Sequence, residues 1–151
     1  ATIYAGPPTA PLWDGTWTAP IAGVSQKHIS GSFGEQRSFN GGPVGGHHGG
    51  TDVAVAEGTA VLATNAGAVV LARELFVRGN MVILDHGGGV FSGYAHLGSI
   101  AVREGEFVAK GQVLGTVGST GLSTGPHLHW EMAVAGILVD GLRWLDGTQG
   151  F

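Results

Sequence analysis

Apolar positions in this chain fall in short runs cut by glycine, and no run carries a helix of ordinary length. Ile21 to Val24 reads as a first short strand, and Val-Ala-Val-Ala after Asp52 as another. Thr59 to Ala63 and Gly67 to Leu71 read as two strands around an Asn65-Ala-Gly turn, with Ala72 to Arg78 either strand or loop. Asn80 to His86 has the apolar centre of a buried strand. Gly87-Gly-Gly is a turn, and Val90 to Leu97 is the return strand. Alternation places Tyr94 and His96 on one face of that strand, with Ala95 and Leu97 on the other. Ile100 to Val117 reads as strand, turn, strand, turn, strand, with Gly105 and Gly111 at the turns. His127 to Ala135 is a further strand. Ala133 to Asp140 ends the sheet, and Leu142 to Leu145 forms a last helical turn. The pattern predicts an all-β, mostly antiparallel fold joined by hairpins, without internal repeats.

Composition narrows the class. A chain of 151 residues can bury one core. Glycine accounts for 29 of them, well above the usual share of about 7%, as many tight turns require. A net charge of −4 without a basic cluster argues against nucleic acid as a partner. No apolar run approaches the roughly 20 residues that span a bilayer. With no cysteine, disulfides say nothing about compartment. No signal peptide is visible, and a chain that starts at Ala1 leaves room for a leader or upstream domain already removed. Nothing in the pattern suggests assembly, so a monomer is expected.

Residues 1–20 hold Pro7, Pro8, Pro11 and Pro20 together with Trp13 and Trp17. Proline fixes φ and donates no hydrogen bond, so residues 1–19 read as an extended lead-in or linker, and 20–151 as the domain. The tryptophans either pin the lead-in to the domain or line a ligand groove. Gly31 to Gly46 reads as a long glycine-punctuated loop, of the kind that often carries function.

The chemistry centres on Gly118 to Glu131, whose middle is His127-Leu128-His129. Residues two apart on a strand share a face, so both imidazoles point the same way. His48 and Asp52 are four apart across Gly49-Gly50, which disfavours a helix and lets a loop fold until both side chains converge. His48 is favoured over its neighbour His47 on spacing. Taken together, His48, Asp52 and His129 are three protein ligands with a fourth position open, the pattern of a catalytic zinc that activates water. His127 and His96 remain for proton transfer and for stabilising a charged intermediate, with His127 the better-placed general base. Glu131 shares the His127/His129 face and is a candidate partner of a ligand. Tyr94 and Asn40 join it as candidates beside the metal or along the substrate groove. His86 reads as structural or solvated, and Asp85 as an exposed turn carboxylate. No cofactor-binding residues other than the metal ligands are expected.

The sequence resembles the lysostaphin/LytM-type zinc metallopeptidases, which cut peptide bonds in bacterial peptidoglycan. The likeness runs over about residues 20–145. It rests on Phe33-Gly34, Arg37, Pro43, His48-x-Gly-x-Asp52, Glu57-Gly-Thr-x-Val61, Asn80-x-Val-Ile-x-Asp-His-Gly87, Tyr94-Ala-His-Leu97, Val108-x-Lys-Gly-Gln112 and Gly118 to Glu131, in that order. The resemblance implies a two-sheet antiparallel β architecture of duplicated-hybrid-motif type, with a loop-lined groove. It implies one Zn2+ per chain on His48, Asp52 and His129, with His96 and His127 as the catalytic pair. It also implies peptidoglycan peptides as substrate and an extracellular, periplasmic or cell-envelope location. The bond cut is left open: relatives cleave glycine cross-bridges, the D-alanine to diaminopimelate cross-link, or other stem-peptide bonds. Members that lose zinc ligands act instead by binding and activating amidases, and here all five positions are intact.

Three other readings fit less well. A non-haem Fe(II) oxygenase spaces its first ligands more closely and leaves His96 and His127 without a task. A biotin or lipoyl carrier needs a lysine on a hairpin tip in a context that Lys110 lacks. A non-catalytic wall-binding module leaves the metal set as coincidence.

Overall fold

Twelve strands carry the described part of the chain: β1 (Ile29–Gly31), β2 (Gln36–Ser38), β3 (Val44–His47), β4 (Thr51–Val53), β5 (Ala60–Leu62), β6 (Gly67–Leu75), β7 (Gly79–Asp85), β8 (Val90–Ile100), β9 (Phe107–Val108), β10 (Val113–Val117), β11 (Leu128–Val134) and β12 (Ile137–Val139). The structure is a computed structural model and describes residues 10–34, 36–38, 44–47 and 49–145, with backbone alone for 36–38 and 44–47. Helical geometry among the described residues is confined to 3-10 turns at Gln26–His28 and Gly141–Trp144. The expected all-β class therefore holds.

Ten strands join one antiparallel sheet along the order β1-β4-β11-β8-β7-β6-β9; β10 pairs with β8 and β5, and β12 folds back on β11. β2 and β3 form a separate hairpin. The centre is β8, eleven residues long, which takes β7 on one edge and β11 and then β10 on the other. Pleating sends Val82 and Leu84 of β7 into the main core with Tyr94, Leu128, Trp130, Leu114 and Val117. Met81 and Ile83 go to the opposite face, into a smaller core with Leu71, Phe91, Ala95 and Ala133. Burial on both faces explains the unbroken apolar run of β7. Each such side chain contributes about 1.5–3 kcal/mol when fully buried.

Two expectations change, and one open choice is decided. Ile21 to Val24 is a turn and not a strand, because Gly23 has φ +70; Ile21 and Val24 are nevertheless buried. The stretch Gly31 to Gly46 is not one loop, since it includes β2 and most of β3, with Arg37 opposite Gly46. Backbone pairing needs no apolar side chain, so this hairpin leaves no hydrophobic signal. The tryptophans of the lead-in serve as pins and not as a groove wall. Trp17 is buried, bridges Leu145, and meets the rings of His86 at 4.7 Å and Trp144 at 5.2 Å.

Candidate functional site

The site lies on the smaller-core face of the sheet, where β4, β11 and β8 run side by side. His129 of β11 stands opposite Asp52 of β4 and Ala95 of β8. That register brings His129 Nδ1 to 2.8 Å from Asp52 Oδ1. Gly50, just before β4, has no room for a side chain: a Cβ there would lie 2.5 Å from the Trp130 carbonyl oxygen and 2.9 Å from the His129 ring. Gly50 thus permits close approach of the chain to the histidine, while Gly49 packs on Leu138, whose Cδ1 a Cβ there would meet at 2.7 Å.

Glu131 follows on the same face. Its Oε1 accepts from His129 Nε2 at 2.8 Å, and Arg78, at the β6–β7 turn, is ion-paired with the same carboxylate. Burial pushes the His129 imidazole down, but the hydrogen bonds to Asp52 and Glu131 outweigh it, so its pKa stands above the ordinary value.

His127 sits just outside β11, where an isolated bridge to Gly118 closes the intervening loop. Its Nδ1 donates to the Gly125 carbonyl at 2.9 Å, with Ser123 Oγ at 3.3 Å. Nε2 is 3.9 Å from Asp52 Oδ1. His96 reaches the site by a different device. Its backbone has φ +61, and between Asn80↔Leu97 and Val82↔Tyr94 the register with β7 shifts. A bulge of this kind re-aims a side chain. His96 Nδ1 donates to the Thr120 carbonyl at 2.7 Å, and its ring lies 4.9 Å from that of His127 and 6.1 Å from that of His129. Burial is the main reason the His96 imidazole lies below its ordinary pKa; the Thr120 carbonyl opposes it. A carbonyl can only accept, so in both His96 and His127 Nδ1 carries a proton, and in the neutral ring the lone pair is on Nε2.

Tyr94 is a correction. It does not share a face with the His96 side chain and does not line the groove, because the bulge separates the two. The Tyr94 ring is fully buried in the main core, and its hydroxyl bonds Thr64 Oγ1 at 2.9 Å and Ser92 Oγ at 2.8 Å. His86 belongs to the same buried chain, with Nδ1 donating to Ala66 O at 2.7 Å and Nε2 accepting from Ser92 Oγ at 2.7 Å. Asp85 is half-buried and accepts from the Gly87 amide at 2.8 Å. His48 and Asn40 lie outside the described residues. Sequence reading missed Arg78, Thr120 and Gly125. The last two act through backbone carbonyls, which leave no residue-type signal, and Arg78 lies far along the chain from Glu131.

Among the described residues no group of three or more His, Cys, Asp or Glu side chains is placed to hold a metal. Two of the three expected ligands, Asp52 and His129, do meet, and their chemistry fits a cation. With the Nε2 proton on Glu131, the Nδ1 lone pair would face a carboxylate oxygen at 2.8 Å. Two such acceptors repel unless a proton or a metal ion lies between them. A carboxylate behind a ligating histidine is also the usual support of a metal site. Beside His127 and Asp52 a cavity of about 300 Å³ opens, lined in addition by Ser30, Ala54, Thr124, Gly125 and Pro126.

The chain is similar to several known proteins. The family model described as peptidase family M23 matches residues 46–141. Peptidoglycan DD-endopeptidase ShyA of Vibrio cholerae is 42% identical over 96 residues, 64% of this chain and 22% of ShyA. Murein hydrolase activator NlpD of Escherichia coli is 41% identical over 97 residues, 64% of this chain and 25% of NlpD. The chain thus spans about a quarter or less of the length of these relatives. A crystal structure of a zinc-containing peptidase from Vibrio cholerae superposes with TM-score 0.77 at 32% identity, covering 85% of this chain and 40% of that one. The catalytic domain of the antimicrobial peptidase lysostaphin from Staphylococcus simulans gives 0.69 at 31% identity, covering 76% and 89%.

Proposed function

The chain belongs to peptidase family M23, and from that premise we propose that it is a zinc-dependent endopeptidase acting on bacterial peptidoglycan. The observation that carries this reading is the pair of imidazoles, His96 and His127, each held through Nδ1 by a backbone carbonyl, beside the Asp52–His129 contact. Asp52 and His129, with His48 taken from the sequence, would hold one zinc ion. When bound, zinc polarises a scissile carbonyl and makes water a nucleophile near neutral pH.

The chain's own residues supply the rest. Glu131 holds the His129 ring in place. His127 Nε2 can accept a proton from the attacking water, since its Nδ1–H is committed to Gly125. His96 Nε2, from the other wall, can donate to or orient the developing oxyanion once protonated. The cavity beside His127 offers room for an extended peptide. The likeness to an enzyme named as a DD-endopeptidase favours the cross-link between D-residues over a glycine bridge. Such a substrate implies a location outside the cytoplasmic membrane, and a monomer suffices for the chemistry.

The test is digestion of purified peptidoglycan, both diaminopimelate-type and glycine-bridged, with released fragments identified by mass spectrometry. Fragments formed by the zinc-loaded protein and not after chelation support the reading and identify the bond. The NlpD likeness favours a second reading, a domain that binds and activates an amidase. Zinc bound without release from either wall, together with stimulation of an added amidase, would replace the first reading with the second.

A further inference from the structure

Arg78 touches both halves of the candidate site, and none of the sequence motifs given above includes it. Its guanidinium pairs with Glu131, a carboxylate only 1% exposed, whose same oxygen accepts from His129 Nε2. Its carbonyl accepts the backbone amide of His96 at 2.7 Å, at the residue where φ is +61. One residue therefore contacts the support of the expected ligand His129 and the bulge that aims His96.

The turn that carries Arg78 is held fast. The Val77 carbonyl accepts from Leu122 N at 2.9 Å, and Asn80 N donates to Thr120 Oγ1 at 3.0 Å. Gly79 (φ +66) and Gly121 (φ +73) meet backbone to backbone: a Cβ on Gly121 would lie 2.3 Å from Gly79 N, and one on Gly79 2.3 Å from Thr120 Oγ1. The loop that presents Thr120 to His96 is thus docked on the turn that presents Arg78 to Glu131.

We propose that Arg78 is a positioning residue for the metal centre, acting through Glu131 on His129; the proposal rests on the zinc reading given above. A buried carboxylate needs a counter-charge and a filled hydrogen-bond shell. Arg78 supplies a cation in a fixed direction, so Glu131 stays turned towards His129 Nε2. That contact keeps the Nε2 proton in place and leaves Nδ1 for the metal. Lysine would keep the charge and lose the planar fork that fixes the direction.

Two measurements test it on the intact chain with Arg78→Ala, Arg78→Lys, Glu131→Gln and the Arg78→Ala/Glu131→Gln double variant. The first is zinc affinity by competition with a chelator of known affinity. Arg78→Ala is expected to weaken zinc about 10-fold, the lower end for loss of a group that orients a ligand. Arg78→Lys should recover part of that loss, and Arg78→Ala should add nothing in the Glu131→Gln background. The second is the ring-nitrogen NMR spectrum of His129 in metal-free protein, which reports whether Nε2–H stays hydrogen-bonded. That signal should weaken in Arg78→Ala and persist in Arg78→Lys. Wild-type affinity and an unchanged His129 signal in Arg78→Ala overturn the proposal, as does an undiminished effect of Arg78→Ala beside Glu131→Gln. If wild-type protein binds no zinc, the metal reading fails on its own, and the His129 signal still decides the role of Arg78.

Discussion

The rings of His96 and His127 lie 4.9 Å apart, and each is anchored by its Nδ1–H to a main-chain oxygen, Thr120 for one and Gly125 for the other. Both oxygens belong to the single loop that runs from Gly118 to His127. The loop therefore sets the tautomer of both neutral imidazoles at once, with the proton on Nδ1 and the lone pair on Nε2.

Removing either imidazole should stop proton transfer without emptying the metal position. His127→Ala and His96→Ala are each expected to lower fragment release from peptidoglycan by about 10²–10⁴-fold, the usual range for a positioned acid or base. Zinc content by elemental analysis should match wild type. Loss of zinc in either variant would instead make that histidine a ligand.

The Asp52–His129 contact predicts the converse. Asp52→Ala and His129→Ala should lose zinc as well as activity. Dialysis of wild-type protein against a chelator should abolish fragment release, and added Zn2+ should restore it. A chelated protein that still cleaves peptidoglycan would remove the metal from the mechanism.

His86 gives a pH-dependent stability unrelated to catalysis. Buried with no exposed surface, its imidazole is pushed down from 6.5 to about 4, mainly by desolvation, partly offset by the Ala66 hydrogen bond. The unfolded chain therefore takes up this proton at higher pH than the folded one. The contribution is fully present above about pH 6.5 and is lost as pH falls towards 4, amounting to about 3 kcal/mol. Urea unfolding of wild type and His86→Gln at pH 7.5 and 4.5 checks this. The variant should start less stable and lose less on acidification, and equal losses would show that His86 does not titrate as its burial requires.

Tyr94→Phe separates a core tyrosine from a groove tyrosine. The hydroxyl joins Thr64 to Ser92, and its loss leaves the Thr64 amide, bonded to it at 3.1 Å, without that partner. A cost of about 1–3 kcal/mol in unfolding free energy is expected, with zinc affinity unchanged. A stable variant with altered peptide specificity would return Tyr94 to the groove.

Much of the fold is legible in the sequence. The apolar runs at Asn80 to His86 and Val90 to Leu97 mark β7 and β8, and Gly105 and Gly111 mark turns between the later strands. The period of two in His127-x-His129-x-Glu131 correctly groups three side chains on one side, because strand geometry alone decides that. Alternation fails at His96, where a left-handed residue inserts a bulge that no residue type announces. It also fails to find the β2–β3 hairpin, whose glycines pair by backbone.

The sequence by itself determined an all-β chain, the family to which it belongs, and a short set of histidines and carboxylates able to do metal chemistry. Those properties depend on residue types and on spacing within a strand, which are local. Tertiary structure alone decided that Asp52 faces His129 across a strand pair, that the His96 ring leaves the face of Tyr94, and that Arg78 backs Glu131. Each of these is a meeting of segments far apart in the chain. Register, bulge and loop docking fix such meetings, because long-range pairing is set by the packing of the whole sheet and not by any one run of residues.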